Sequence, residues 1–136
     1  MAGESAVIVL ALRTDRPEVE LYICDSDKKL AEIKWQAHLQ LAETLNSKIE
    51  EALKKARTSY DNLGGIAVFK GPGSFTGLRI GAAVANTISY AQDIPIVTRG
   101  GANWLDQAIK DLAAGKNDQV AVPEYGAPPR VTQPRK

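Results

Sequence analysis

Along this chain the spacing of apolar residues changes period several times, and each change marks an element. Residues 6–12 are continuously apolar (Ala-Val-Ile-Val-Leu-Ala-Leu), the pattern of a central strand covered on both faces. Residues 18–24 and 29–35 alternate between apolar and polar, with Asp25-Ser26-Asp27-Lys28 turn-like between them, which predicts an antiparallel meander. From His38 to about Ala56, apolar Leu41, Leu45, Ile49, Ala52, Leu53 and Ala56 recur at helical spacing, while Glu43, Lys48, Glu50, Glu51, Lys54 and Lys55 occupy the rest of the surface. Asn62-Leu63-Gly64-Gly65 stops the chain before a short apolar run at 66–69. A long small-residue helix follows a glycine-rich turn. A strand is expected at 94–98 and a last helix over about 102–112, with Gly115 as its terminator.

Three strands, helix, strand, helix, strand, helix predicts an α/β lobe: a mixed sheet of about five strands with helices on both faces. Past Asn117 the composition shifts. Val122-Pro123-Glu124-Tyr125-Gly126-Ala127-Pro128-Pro129-Arg130 carries too many prolines for regular structure. The division expected is a lobe over 1–116 and an extended Pro-rich tail over 117–136.

Composition narrows the class. With 136 residues, 44% of them hydrophobic and 24% charged, the chain is about one domain long and can bury a core. The net charge is +1 with both signs interspersed, so gripping nucleic acid alone is not favoured, although Arg130, Arg135 and Lys136 could assist weakly. Cys24, the one cysteine, sits in an apolar run and reads as a buried, inert thiol. The start lacks the basic stretch of a signal peptide and no apolar run is long enough to span a bilayer, so a cytoplasmic location is expected.

The candidate chemistry lies in Gly71-Pro72-Gly73-Ser74-Phe75-Thr76-Gly77, between the 66–69 strand and the helix. Gly71 and Gly73 permit positive φ or close backbone approach, and Pro72 pushes Gly71 away from helical geometry, so a tight elbow follows. Ser74 is placed as an N-cap able to accept from the N–H of Thr76 or Gly77. Unpaired N–H groups of a first helical turn can hold an anion. A Walker loop needs Lys-Ser/Thr after the last glycine, however, and Leu78-Arg79 stands here; a dinucleotide fingerprint needs glycine where Thr76 stands. A structural elbow is therefore the simpler reading, with phosphate or nucleotide binding by Gly71–Gly77 as the alternative.

Taken whole, GPGSFTGLRIG resembles the signature of the TsaB (YeaZ) family, the non-catalytic subunit of the bacterial machinery that makes N6-threonylcarbamoyladenosine in tRNA. The resemblance, with the order of elements around the motif, extends over most of residues 6–113. It implies a ribonuclease H-like lobe of the actin-like ATPase superfamily, here in a shortened single-lobe form. It implies as partners a related TsaD-like catalytic subunit, a TsaE-like ATPase or a second copy, with tRNA met only through the complex and no membrane. It implies no cofactor on this chain, with ATP and a metal belonging to the partner subunits.

Two further observations bear on that implication. In this superfamily the first strand ends in an aspartate, and many TsaB sequences read Ala-Ile-Asp-Thr there, but this chain reads Ala11-Leu12-Arg13-Thr14. Arginine neither binds a metal nor acts as a base at neutral pH. The H-x-x-x-H pair that holds the metal in TsaD is reduced to His38, with Ala42 at the second position, and a lone histidine does not make that site. A non-catalytic chain is expected. On the motif helix, Ile80, Val84, Ile88 and Ala91 form one stripe and Gly77, Gly81 and Ala85 a small-residue stripe beside it. Such a helix is either squeezed within its own core or docks a second protein. The resemblance favours docking and makes Leu41, Leu45, Gly77, Gly81, Val84 and Ala85 the candidate partner-binding residues.

Overall fold

The structure, a computed structural model, describes residues 7–37 and 40–124. Its elements run β1 (Ile8–Arg13), β2 (Glu18–Asp25), β3 (Lys28–Gln36), α1 (Leu41–Lys55), a 3-10 turn (Tyr60–Asn62), β4 (Gly65–Phe69), α2 (Phe75–Gln92), β5 (Ile96–Arg99) and α3 (Trp104–Ala113). The sheet order is β3-β2-β1-β4-β5. The first three strands form an antiparallel meander, and β4 and β5 join parallel to β1.

Alternation in the strands divides the core between two faces. Leu10, Leu12, Leu21, Ile23 and Ile33 point to one face, where they meet Leu41, Leu45, Ile49 and Ala52 of α1 and Ala82, Ala85 and Ile88 of α2. Val9, Ala11, Ala67, Phe69 and Val97 point to the other, where α3 supplies Trp104, Ala108, Ile109 and Leu112. Val9, Leu10, Ala11 and Leu12 are all fully buried, which is why β1 is apolar without alternation.

Local chemistry ends the elements near the expected places. Asp25 pairs with Lys28 across a two-residue turn in which Ser26 takes a left-handed φ of 56°. The α3 helix closes on Gly115 (φ 86°), whose N–H donates to the Leu112 carbonyl while that of Lys116 donates to the Asp111 carbonyl, a Schellman closure. The first helix begins at Leu41; the expected start at His38 lies outside the described residues.

Over its described part the tail has neither helix nor strand and is mostly exposed. Residues 117–124 do not merely run over the surface. The Asp118 N–H donates to the Ile96 carbonyl, Asn86 Nδ2 to the Ala121 carbonyl and the Glu124 N–H to the Lys70 carbonyl, and Ala121 is 4% exposed within the α1/α2 core. The remainder of the Pro-rich stretch, with Arg130, Arg135 and Lys136, lies outside the described residues.

Candidate functional site

The C-terminal ends of β1 and β4 meet the N-terminus of α2, and the glycine motif is what lets them meet. Ser74 caps α2 as its position suggested, its Oγ accepting from the Gly77 N–H at 3.2 Å. The elbow then closes on the turn after β1. The Ser74 N–H donates to the Asp15 carbonyl at 2.8 Å, and Thr14 Oγ1 donates to the Gly77 carbonyl at 2.8 Å.

Each motif glycine faces part of this same chain where a side chain would begin. A Cβ on Gly73 would strike Asp15, one on Gly77 the Thr14 carbonyl, and one on Gly81 the Thr14 side chain. Gly71, with φ 101° in a cis Gly71–Pro72 unit, has the Glu124 carbonyl and Leu78 in that space. The glycines thus serve close packing of the elbow against Thr14 and Asp15. Beside the elbow, Thr14, Arg16, Ser74, Thr76 and Gly77 line a pocket of about 300 Å³ with Pro17, Val19, Ala37, Leu41 and Ile80.

Burial sorts the candidate partner-binding residues. Leu45 and Ala85 are fully buried and Leu41 is 6% exposed, all three within the lobe's own core. Gly81 is buried against Thr14, and Gly77 is half-buried over the Thr14 carbonyl. These five face the sheet or the β1–β2 turn, so their small or apolar character is explained inside the lobe. Leu41 and Gly77 line the pocket of about 300 Å³ beside the elbow, whereas Val84 lines a surface groove of about 210 Å³ with Asn46, Ala83, Thr87 and Ile88. A second groove of about 280 Å³ continues it along Phe75, Thr76, Arg79, Ile80 and Ala83. The outward apolar strip of α2 is therefore one helical step away from the small-residue stripe.

Arg13 stands at the end of β1. Its Nε donates to Asp15 Oδ1 at 2.9 Å and its Nη2 to Oδ2 at 3.3 Å, and its guanidinium lies 3.9 Å from the centre of the Phe69 ring. Burial opposes its charge, but the Asp15 hydrogen bond and the carboxylates of Asp15 and Glu20 hold its pKa above the usual value. Across the β1–β2 ladder Arg13 is paired with Glu20. The Glu20 carboxylate accepts from Tyr22 Oη at 2.6 Å and Arg16 Nη2 at 2.6 Å. Burial works against that carboxylate, yet these bonds and the two arginines hold its pKa below the ordinary glutamate value. Burial, reinforced by Glu20, pushes the Tyr22 hydroxyl upward. Burial pushes the Cys24 thiol up to about 11, keeping it protonated.

The arrangement is a closed ion-pair network in which every carboxylate is matched. Among the described residues no three His, Cys, Asp or Glu side chains come together in a way that could hold a metal ion. His38 and its neighbour Leu39 are outside the described residues. Sequence reasoning missed Glu20, Tyr22 and Asn86. Alternation put the first two on one strand face without showing that Arg13 lies opposite, and Asn86 had no visible partner 35 residues away.

The sheet order, with paired helices on one face and a third on the other, is that of a ribonuclease H-like fold. YeaZ from Pseudomonas aeruginosa superposes with a TM-score of 0.63 at 24% identity over 69% of this chain and 44% of its own, a likeness of fold. The particular likeness in sequence is to TsaB (YeaZ), as the GPGSFTGLRIG motif implied. The "tRNA threonylcarbamoyladenosine biosynthesis protein TsaB" of Haemophilus influenzae is 30% identical over 74 residues, 54% of this chain and 31% of that protein. The family described as "TsaD: tRNA N6-adenosine threonylcarbamoyltransferase" matches residues 35–98. The tRNA N6-adenosine threonylcarbamoyltransferase of Bacillus thuringiensis strain Al Hakam is 45% identical over 49 residues, 36% of this chain and 14% of the enzyme. The chain spans about a third or less of the curated relatives it matches. No helix among the described residues is long and apolar enough to cross a membrane.

Proposed function

We propose that this chain serves tRNA threonylcarbamoyladenosine synthesis as a non-catalytic TsaB-like subunit that binds and activates a TsaD-like catalytic partner. The observation that carries the reading is Arg13. A guanidinium paired with Asp15 and laid on Phe69 occupies the end of the first strand, and an arginine there supplies neither a metal ligand nor a general base. The sequence likeness to both TsaB and TsaD supplies the pathway. In this reading ATP and metal chemistry belong to the partner subunits, and tRNA is met only in the complex.

The surface proposed for the partner is the outward strip of α2: Phe75 (49% exposed), Ile80, Ala83, Val84 and Thr87, with Asn46 of α1 at its edge. A contiguous apolar strip on a helix whose other side is already packed suits helix-to-helix association. The test is the mass in solution of the purified chain, alone and mixed with the TsaD-like protein of the same genome. A one-to-one complex that displaces any homodimer is expected. A chain that stays monomeric in both samples would overturn the assignment.

A further inference from the structure

We propose that residues 117–124 form a clasp that opens as a unit while the rest of the lobe stays folded, and that its opening frees the outer edge of β5 and unpins α2 and the glycine elbow together. The strand β5 is at one end of the sheet, so its outward N–H groups have no strand to receive them. Side chains of the clasp supply the acceptors instead. The Ile96 N–H donates to Asn117 Oδ1 at 3.1 Å and the Thr98 N–H to Asp118 Oδ2 at 2.8 Å, while the Asp118 N–H returns a bond to the Ile96 carbonyl at 2.8 Å. Asn117 Oδ1 also accepts from the Gln119 N–H, which steadies the turn.

The clasp then crosses to α2 and on to the elbow. Asn86 grips it on both sides, Oδ1 accepting from the Ala121 N–H at 2.7 Å and Nδ2 donating to the Ala121 carbonyl at 3.2 Å. At its far end the Glu124 N–H donates to the Lys70 carbonyl at 2.7 Å, and the Glu124 carbonyl fills the space beside Gly71. One arginine ties its root. Arg99 Nη1 reaches Asp118 Oδ2 at 2.8 Å and Nε reaches Asp111 Oδ2 of α3 at 2.7 Å.

What holds the segment distinguishes it from the rest of the fold. Its apolar anchors are the buried Ala121 methyl and the half-buried Pro123 ring, since Val120 is 55% and Val122 66% exposed. Everything else is polar, and each such bond adds only a small net stabilisation because water offers a replacement. The central strands are by contrast fully buried on both faces. A segment held by hydrogen bonds around one methyl and one half-buried ring opens at a lower free energy than the core it lies on.

Native-state hydrogen exchange on the full chain tests this. Six amides depend on the clasp, those of Ile96, Thr98, Asp118, Gln119, Ala121 and Glu124. They are expected to share one opening equilibrium, faster than that of Leu10 and Ala67 in β1 and β4. Asn86→Ala should then accelerate all six by about tenfold or more, the effect of losing one or two net hydrogen bonds, and leave Leu10 and Ala67 as they were. Asp118→Ala, at the opposite end of the segment, provides an independent second variant with the same expectation. Acceleration confined to the neighbours of each mutated residue would show separate contacts and overturn the clasp. Six amides exchanging together with Leu10 and Ala67 in both variants would overturn it as well, since opening would then be global.

Discussion

At the scale of single residues, the glycine elbow turns on Thr14. Its side chain donates to the Gly77 carbonyl and lies where a Gly81 side chain would start. Two effects compete in Gly81→Ala. Mid-helix alanine is intrinsically better than glycine by up to about 1 kcal/mol, whereas forcing a methyl into a packed seam costs roughly 1–3 kcal/mol. The overlap with Thr14 involves its Oγ1, Cγ2 and Cβ, so the side chain has no simple way to move aside and the packing cost wins. Gly81→Ala is expected to destabilise the lobe by about 1–2 kcal/mol in urea unfolding. Because Thr14→Ala makes room, the double variant should lose less than the sum of the two singles. Strict additivity, or a stabilised Gly81→Ala, would refute the contact. By the same geometry Gly81→Arg would disrupt the elbow itself and is no clean probe of association.

At the scale of elements, the β1–β2 hairpin carries a partly buried charge network whose acid response has a definite sign. Glu20 has its folded pKa depressed, so its stabilisation is complete above the ordinary glutamate range and is lost as pH falls through the lower folded value. Tyr22→Phe removes one of the hydrogen bonds that depress it. The Glu20 titration, followed by carboxyl NMR, should move upward in that variant, and the acid side of the stability curve should flatten. A Glu20 titration indifferent to Tyr22 would count against the network. The hairpin also shows what was legible. Alternation gave β2, β3 and their turn nearly to the residue, and the unbroken apolar run gave β1 its central place, because side-chain period is a local property. The charge network was not legible, since it depends on which strand lies beside which. The stripe on α2 was ambiguous for a related reason: periodicity shows that a face is apolar or small, not whether a neighbouring helix or the Thr14 side chain fills it. The order of elements and the elbow were readable, while the clasp, made by Asn86 and residues 117–124, was hidden by sequence distance.

At the scale of the whole molecule, sorting α2 into an inward and an outward face changes where association should be disrupted. Leu45 and Ala85 are fully buried, so substituting them would unfold the lobe and say nothing about a partner. Ala83 is exposed and lines both surface grooves, between Ile80 and Thr87 on the outward strip. An arginine there keeps the helix, because arginine is a good helix former and the position is open to water. Its effect on stability should stay within about 0.5 kcal/mol. In a packed helix seam the same side chain would desolvate a charge without a partner and prevent close approach. Ala83→Arg is therefore expected to leave the unfolding curve in place while abolishing the one-to-one complex with the TsaD-like protein in light scattering. An exposed control away from the strip, Lys110→Ala on α3, should affect neither. If the Ala83→Arg chain associates as the parent does, the outward strip of α2 is not the docking face, whatever the partner proves to be.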